Sequence, residues 1–115
     1  MGFDDAMSVL SEFGRFSEPA LFVLISLLDA PKHGYAIVTD IEDFAGRRLG
    51  PGTLYGALGR LERHGLVEAL APTGRRKPYR LTSTGRAEVR RALDEMSALA
   101  TYGDKRWHGL TGSPA

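Results

Sequence analysis

Two groups of side chains in this 115-residue sequence have the chemistry and spacing to bind a polyanion. The first is the run Arg75-Arg76-Lys77, which holds three consecutive positive charges. The second lies within residues 51–64 and consists of Thr53, Tyr55, Arg60 and Arg63. Guanidinium, ammonium and hydroxyl groups donate hydrogen bonds to phosphate oxygens, and arginine also binds base edges.

Each of these groups also has a purely structural interpretation. Tyr55 could pack its ring at the junction between a helix and a hairpin, and Thr53 could satisfy only the first turn of a helix. Arg60 and Arg63 could be solvated helix charges. The run 75–77 could be an ordinary solvated turn, so the elements that carry these residues decide between the interpretations.

The charges are segregated along the chain, although the net charge is only +1. Residues 1–46 hold eight acidic and two basic side chains, and residues 92–115 hold three acidic and two basic. Residues 47–91 hold eleven basic and three acidic side chains. The middle segment is therefore a candidate for binding a polyanion such as double-stranded DNA.

Side chains suited to catalysis or metal binding do not form a motif. The three histidines, His33, His64 and His108, have no metal-ligand spacing. No nucleophile elbow, phosphate loop or paired-carboxylate motif is visible. We predict that the chain is not an enzyme and has no metal or cofactor.

The composition also bears on the cellular compartment. The chain contains no cysteine, which excludes disulfides and fits a reducing cytoplasm. The longest apolar run, residues 20–28, is too short to cross a bilayer. Asp4 and Asp5 near the start are unlike the basic region of a secretory signal. We expect a cytoplasmic protein that does not bind a membrane.

The side chains within residues 51–64 are predicted to lie on a helix. Leu54, Leu58 and Leu61 form an apolar stripe, and Thr53, Arg60 and Arg63 lie on the opposite face. Pro51 suits a first helical turn, and Gly65 suits a left-handed helix end. Strands at 66–70 and 75–81 around a loop with proline and glycine predict a hairpin with the basic run near its tip.

Two further helices are predicted before this one. A buried helix follows a cap at Ser17, and the next helix begins near His33 with Tyr35, Val38, Ile41 and Ala45 facing inward. Leu49 could lie in a very short strand. Together with the hairpin, residues 17–82 are predicted to form a winged helix-turn-helix. Residues 1–16 are predicted to form an amphipathic helix that covers the core or a partner subunit.

The last predicted helix spans residues 83–108 and is capped by Thr82. A coiled-coil-like seam recurs at intervals of four, three and four residues, through Val89, Leu93, Met96 and Ala100. No second long helix in the sequence would bury this seam, so we predict a homodimer. Gly103 predicts fraying after about Tyr102, and residues 109–115 are predicted to be disordered. The fold class is mainly α with a small β-hairpin.

Residues 20–90 resemble the PadR family of transcriptional regulators. The matching pieces are Leu21–Leu28, Pro31-Lys32-His33-Gly34-Tyr35, Pro51-Gly52-Thr53-Leu54-Tyr55, Leu58-Gly59-Arg60-Leu61-Glu62, Gly65-Leu66-Val67, and Leu81-Thr82 with Gly85. The chain departs from the family pattern at Gly50, where serine is frequent, and at Gly56, where proline is frequent. The resemblance implies a homodimeric DNA-binding repressor with a single C-terminal dimerisation helix.

The resemblance also leaves open a small-molecule effector, since it implies that some members release DNA on binding aromatic or drug-like molecules. The position at which short multidrug-sensing members carry a stacking tryptophan corresponds to Met96, and Trp107 lies three turns further on. These two residues are the candidate effector contacts, and the alternative for Met96 is packing in the core. The competing hypothesis for the whole chain is a winged-helix module that binds a protein partner instead of specific DNA.

Overall fold

The structure, a computed structural model, describes residues 18–110. The predicted N-terminal helix, the cap at Ser17 and residues 111–115 lie outside the described residues. The mainly helical fold with a small sheet is confirmed. Its elements are α1 (Glu18–Ser26), β1 (Lys32–His33), α2 (Gly34–Ala45), α3 (Pro51–Arg63), β2 (Val67–Ala69), β3 (Pro78–Leu81) and α4 (Ser83–Leu110).

The core of the fold forms around α1, which packs against α2, α3 and α4. Helix α1 is apolar on most of its surface, so it can lie between several neighbours. The other helices each contribute one apolar face, as their 3.6-residue periodicity requires. The most deeply buried large side chains are Val23, Leu24, Ile37, Ile41, Leu54, Leu58, Val67 and Val89.

Helix α3 has the boundaries and buried face that its sequence predicts. Pro51 lies in the first turn after Gly50, whose position offers no side-chain cap. Leu54 and Leu58 are buried against the core. After the helix, Gly65 adopts a positive φ of 74°, which allows the Leu66 N–H to donate to the Leu61 carbonyl at 2.9 Å. This tight ending leads directly into β2.

The sheet has three antiparallel strands in the order β1-β3-β2. Strand β3 pairs on one side with β2, where Val67 lies opposite Leu81, and on the other with β1, where Lys32 lies opposite Tyr79. The prediction of a short strand at Leu49 is wrong. Leu49 lies outside the sheet, partly buried against the core, and the third strand precedes α2. We call the hairpin of residues 67–81 the wing.

The start of α4 is fixed by Thr82, as predicted. Its Oγ1 accepts the Gly85 N–H at 3.0 Å and donates to the Gly65 carbonyl at 2.6 Å. Gly85 lies so close to the residue before the wing that a Cβ built on it would overlap the Leu66 carbonyl oxygen. A single hydroxyl therefore joins the end of α3 to the start of α4.

Helix α4 continues further than the sequence predicts. It extends without interruption through Gly103 to Leu110, so the predictions of fraying after Tyr102 and of disorder at residues 109 and 110 are wrong. One glycine costs a helix only about 1 kcal/mol. Ion pairs one turn apart offset part of this cost, and they are Arg90–Asp94, Arg91–Glu88 and Arg91–Glu95.

The predicted dimer seam is partly covered by the chain itself. Val89 is 1% exposed and belongs to the core, and Leu93 is half-buried against that core. The assignment of Val89 to a dimer surface is therefore corrected. Met96 and Ala100 lie further along α4, where the helix has passed the core, and they are exposed.

Candidate nucleic-acid interface

The exposed face of α3 carries the polar residues that the sequence singled out. Thr53, Tyr55, Arg60 and Arg63 are all exposed, whereas Leu54 is 2% exposed. The buried leucines hold the helix against the core, so the opposite face points to solvent. The structure thus brings these four side chains together on one helix, with their guanidinium and hydroxyl groups at the surface of the domain.

Tyr55 is held against the start of α2. Its side chain is 53% exposed, and its hydroxyl oxygen occupies the space where residue 34 would carry a Cβ atom, which glycine lacks. The alternative that Tyr55 packs at the helix–wing junction is therefore wrong. The ring borders a cleft of about 430 Å³ that Tyr35, Arg48 and Leu49 also line.

The tip of the wing is a two-residue turn. The Thr73 N–H donates to the Arg76 carbonyl at 2.8 Å, and the Arg76 N–H donates to the Thr73 carbonyl at 3.1 Å. Gly74 holds a φ of 64° at the first central position, the conformation that a type II′ turn requires. Arg75 occupies the second central position and is exposed.

The other two cations of the basic run contact neighbouring aromatic rings. Arg76 Nη1 lies 3.2 Å from Nε2 of His33, and Lys77 Nζ lies 5.7 Å from the ring centre of Tyr79. Tyr79 is buried in the wing, which agrees with its structural role. Contacts of this kind restrict the long side chains while leaving their donors near the surface.

His33 has a second contact that competes with the one to Arg76. Its Nδ1 accepts the Ala36 N–H at 3.4 Å and so caps α2. A neutral imidazole has a single acceptor nitrogen. When Nδ1 accepts the helix N–H, Nε2 carries the proton and cannot accept from Arg76. In either neutral tautomer, His33 can therefore accept only one of these two hydrogen bonds.

The loop before His33 is fixed by Lys32, a role that the sequence did not predict. Its Nζ donates to the Ser26 carbonyl and to Asp29 Oδ1, the latter at 2.5 Å. The hydrogen bond and the positive charge of Lys32 lower the pKa of the Asp29 carboxyl. Asp40 lies 4.0 Å from the same Nζ and accepts the Ser26 hydroxyl at 2.7 Å. These contacts fix the chain where β1 leads into α2.

Several basic side chains of residues 47–91 are paired with carboxylates of the same chain, so they are less available to a ligand. Arg80 donates two hydrogen bonds to Glu68 across the wing, and Arg48 is paired with Glu42 at 2.9 Å. Arg90 and Arg91 are paired with carboxylates on α4. Arg63 on α3 and Arg75 at the tip of the wing are exposed, so these two elements present positive charge at the surface.

Within residues 18–110, the side chains of histidine, aspartate and glutamate do not converge in threes as metal ligands would. Over the same residues, every helix is too short or too polar to cross a membrane. Sequence reasoning missed the contacts of residues 32–34 with the wing and α3, although these residues belong to the motif quoted for the family.

Residues 23–91 match the model of the transcriptional regulator PadR-like family. The transcriptional regulator Rv3488 of Mycobacterium tuberculosis is 41% identical over 94 residues, with 76% of this chain and 86% of that protein covered. An uncharacterized 37.1 kDa protein in transposon Tn4556 of Streptomyces fradiae is 46% identical over 86 residues. The match covers 75% of this chain but only 25% of that longer protein.

Solved structures share the fold. A PadR family transcriptional regulator from Eggerthella lenta is 30% identical, with a TM-score of 0.69 and with 93% of this chain and 96% of that chain covered. A PadR family regulator from Clostridium difficile has a TM-score of 0.70 at 21% identity, covering 77% and 97% of the two chains. The match over residues 23–91 and the identity to a relative of similar length establish that this chain belongs to the PadR-like family, whose members are DNA-binding transcriptional regulators and not enzymes.

Proposed function

We propose that the chain is a transcriptional repressor that binds an inverted-repeat operator as a homodimer. The observation that carries the proposal is the combination, in one chain, of an exposed polar face on α3 and an exposed apolar stripe on α4. The first suits a major groove, and the second suits a second copy of the same helix. A two-fold dimer would present two α3 helices to successive turns of one DNA duplex.

Support for the dimer comes from the part of α4 beyond the core. Apolar side chains there are exposed to an extent that is costly in water, and they fall within about 100° of the helix circumference. We call this set the α4 stripe, and its members are Met96, Leu99, Ala100, Trp107 and Leu110. Leu99 is 68% exposed and Trp107 is 63% exposed. Burying these side chains against a partner helix would stabilise a dimer.

The proposed contacts to DNA fall into two groups, one on α3 and one at the tip of the wing. Thr53, Tyr55 and Arg60 lie on the exposed face of α3 and are proposed to set the sequence preference, with Arg63 at the end of that helix. The basic run 75–77 at the wing tip is proposed to neutralise phosphates or to enter the minor groove, which sets affinity rather than sequence.

A small aromatic or drug-like effector would bind against the α4 stripe. Met96 is the proposed lining residue, because its thioether side chain is adaptable and polarizable. Trp107 is eleven residues further on, roughly 16 Å along the helix axis. The two side chains of one α4 therefore cannot contact the same small ligand, and Trp107 serves mainly as a fluorescent reporter of changes along the stripe.

The proposal is tested by selecting bound duplexes from a random DNA pool. We expect an inverted repeat whose half-sites are separated by about one helical turn, or roughly 34 Å. Affinity for the selected duplex should fall steeply as salt is raised. A chain that enriches no sequence, while it retains a protein partner through the wing, would instead be a protein-interaction module.

A further inference from the structure

The contact between Gly34 and Tyr55 joins the first turn of α2 to the first turns of α3. Gly34 is buried, and a Cβ atom built on it would overlap the Tyr55 hydroxyl oxygen and lie 3.0 Å from Cζ of the same ring. The Tyr55 side chain is nevertheless half exposed. One edge of the ring is thus held by the domain, while the remainder faces outward from the DNA-binding side of α3.

The backbone does not require glycine at position 34. Among residues 18–110, the glycines with positive φ are Gly46, Gly65 and Gly74, so Gly34 has a conformation that other residues adopt. Alanine is more favourable than glycine in a helix by up to about 1 kcal/mol. The feature that distinguishes glycine at this position is therefore the space it leaves for Tyr55.

We propose that Gly34 is a positioning residue that sets the sequence preference of DNA binding by fixing the orientation of Tyr55. The inference rests on the proposed function, in which Tyr55 contacts the operator. A ring already held in one orientation loses less conformational freedom when it binds DNA than a ring that samples several rotamers. The start of α2 in this way contributes to operator recognition through a residue of α3.

The substitution Gly34→Ala separates this role from a role in folding. The atom that a new methyl group would meet first is the far end of a side chain that can rotate outward. Leu54 Cδ2 would lie 3.2 Å from the methyl group and needs to shift by only a few tenths of an ångström. We expect Gly34→Ala to fold with nearly the wild-type melting temperature while Tyr55 adopts a different rotamer.

The test is a double-mutant cycle on the selected operator and on a random duplex. Gly34→Ala should weaken operator binding by about tenfold, the size expected for one specific base interaction, and should change random-duplex binding by less than about twofold. In a Tyr55→Ala background, Gly34→Ala should have no further effect on the operator. Equal losses of affinity with and without Tyr55, or no loss at all, would overturn the proposal.

A measurement without DNA checks the ring itself. The ring signals of Tyr55, assigned with Tyr55→Phe in a tyrosine-labelled chain, should move in the NMR spectrum of Gly34→Ala. They should stay in place in the control Gly59→Ala, where the added methyl group meets Arg63 Nη1 at an ordinary 3.6 Å. If the Tyr55 signals do not move in Gly34→Ala, the proposal that Gly34 positions Tyr55 is overturned, and the proposed function is unaffected. If the wild-type chain binds no duplex, the proposed function is overturned, and the role of Gly34 in DNA recognition is overturned with it.

Discussion

The guanidinium of Arg76 lies 3.2 Å from Nε2 of His33, so the tip of the wing reaches the residue that caps α2. Gly34, the next residue, lies beneath the Tyr55 hydroxyl. The start of α2 therefore contacts both elements that are proposed to bind DNA, with one residue against the wing and the next against α3. Changes at residues 33 and 34 should affect these two elements separately.

The cap at His33 can be tested apart from its contact with the wing. His33→Ala should lower the free energy of unfolding by about 1 kcal/mol, because the Ala36 N–H loses its acceptor. His33→Asn should recover most of this free energy, since asparagine is a good N-cap. Urea unfolding of the three chains gives the comparison. Equal destabilisation in both variants would mean that the imidazole contributes through Arg76 and not through the cap.

The wing and α3 should differ in their response to salt. Replacing Arg75 and Arg76 together with alanine should weaken binding to operator and random duplexes alike. It should also flatten the slope of log K against log salt by roughly 0.9 for each phosphate that is no longer neutralised. An unchanged slope in fluorescence anisotropy titrations would show that the wing does not bind phosphates.

Arg60 offers the contrasting case on α3. Arg60→Ala should cost about 1–3 kcal/mol on the operator if its guanidinium binds a guanine, and much less on random DNA. Competition binding with the two duplexes measures the ratio directly. Equal weakening of binding to both duplexes would mean that Arg60 contacts the DNA backbone and not a base.

The proposed dimer interface is best tested beyond the core of the domain. Leu93 packs partly against its own chain, so Leu93→Asp would disturb the fold as well as an interface. Leu99 is 68% exposed, and Leu99→Glu should give a folded monomer in light scattering. Ala98→Glu on the opposite side of α4 is the control and should remain dimeric. A dimer of unchanged stability in Leu99→Glu would place the interface elsewhere.

The ion pair before α2 gives a prediction for pH. Because Lys32 lowers the pKa of Asp29, Lys32→Met should raise that pKa toward its ordinary value in an NMR titration. A carboxyl whose pKa is lower in the folded chain than in the unfolded chain stabilises the fold at pH values above the unfolded pKa. This contribution is lost as the pH falls through the folded pKa. Wild type should thus lose the contribution only in acid, below the ordinary aspartate value of 3.8. The same titration midpoint in both chains would contradict the assignment.

The sequence predicts the features that depend on neighbours along the chain. The leucine stripe of α3, the helix end at Gly65 and the cap at Thr82 follow from local periodicity and capping rules. Local rules do not predict strand β1, because a strand of two residues shows no periodicity and its pairing with residues 78–79 is a long-range contact. Tyr35 is predicted to face inward yet is 69% exposed, since its neighbours Ile37 and Val38 cover the core instead.

The seam of α4 shows a second limit. A heptad pattern identifies one face of a helix, but it does not say which neighbour covers each part of that face. Val89 is covered by its own domain, whereas Met96, further along the same seam, is exposed. The contact of Tyr55 with Gly34 is likewise inaccessible from the sequence, because it depends on the angle between two helices.

The Thr82 hydroxyl, which bonds to Gly65 at the end of α3 and to Gly85 at the start of α4, couples the end of one helix to the start of the other. A helix of 28 residues is about 42 Å long, and a tilt of about 3° at one end displaces the other by roughly 2 Å. In a dimer joined through α4, the crossing angle of the two long helices would therefore act as a lever on the separation of the two α3 helices. A ligand or substitution that altered this angle would change the fit to DNA without touching a residue that contacts it.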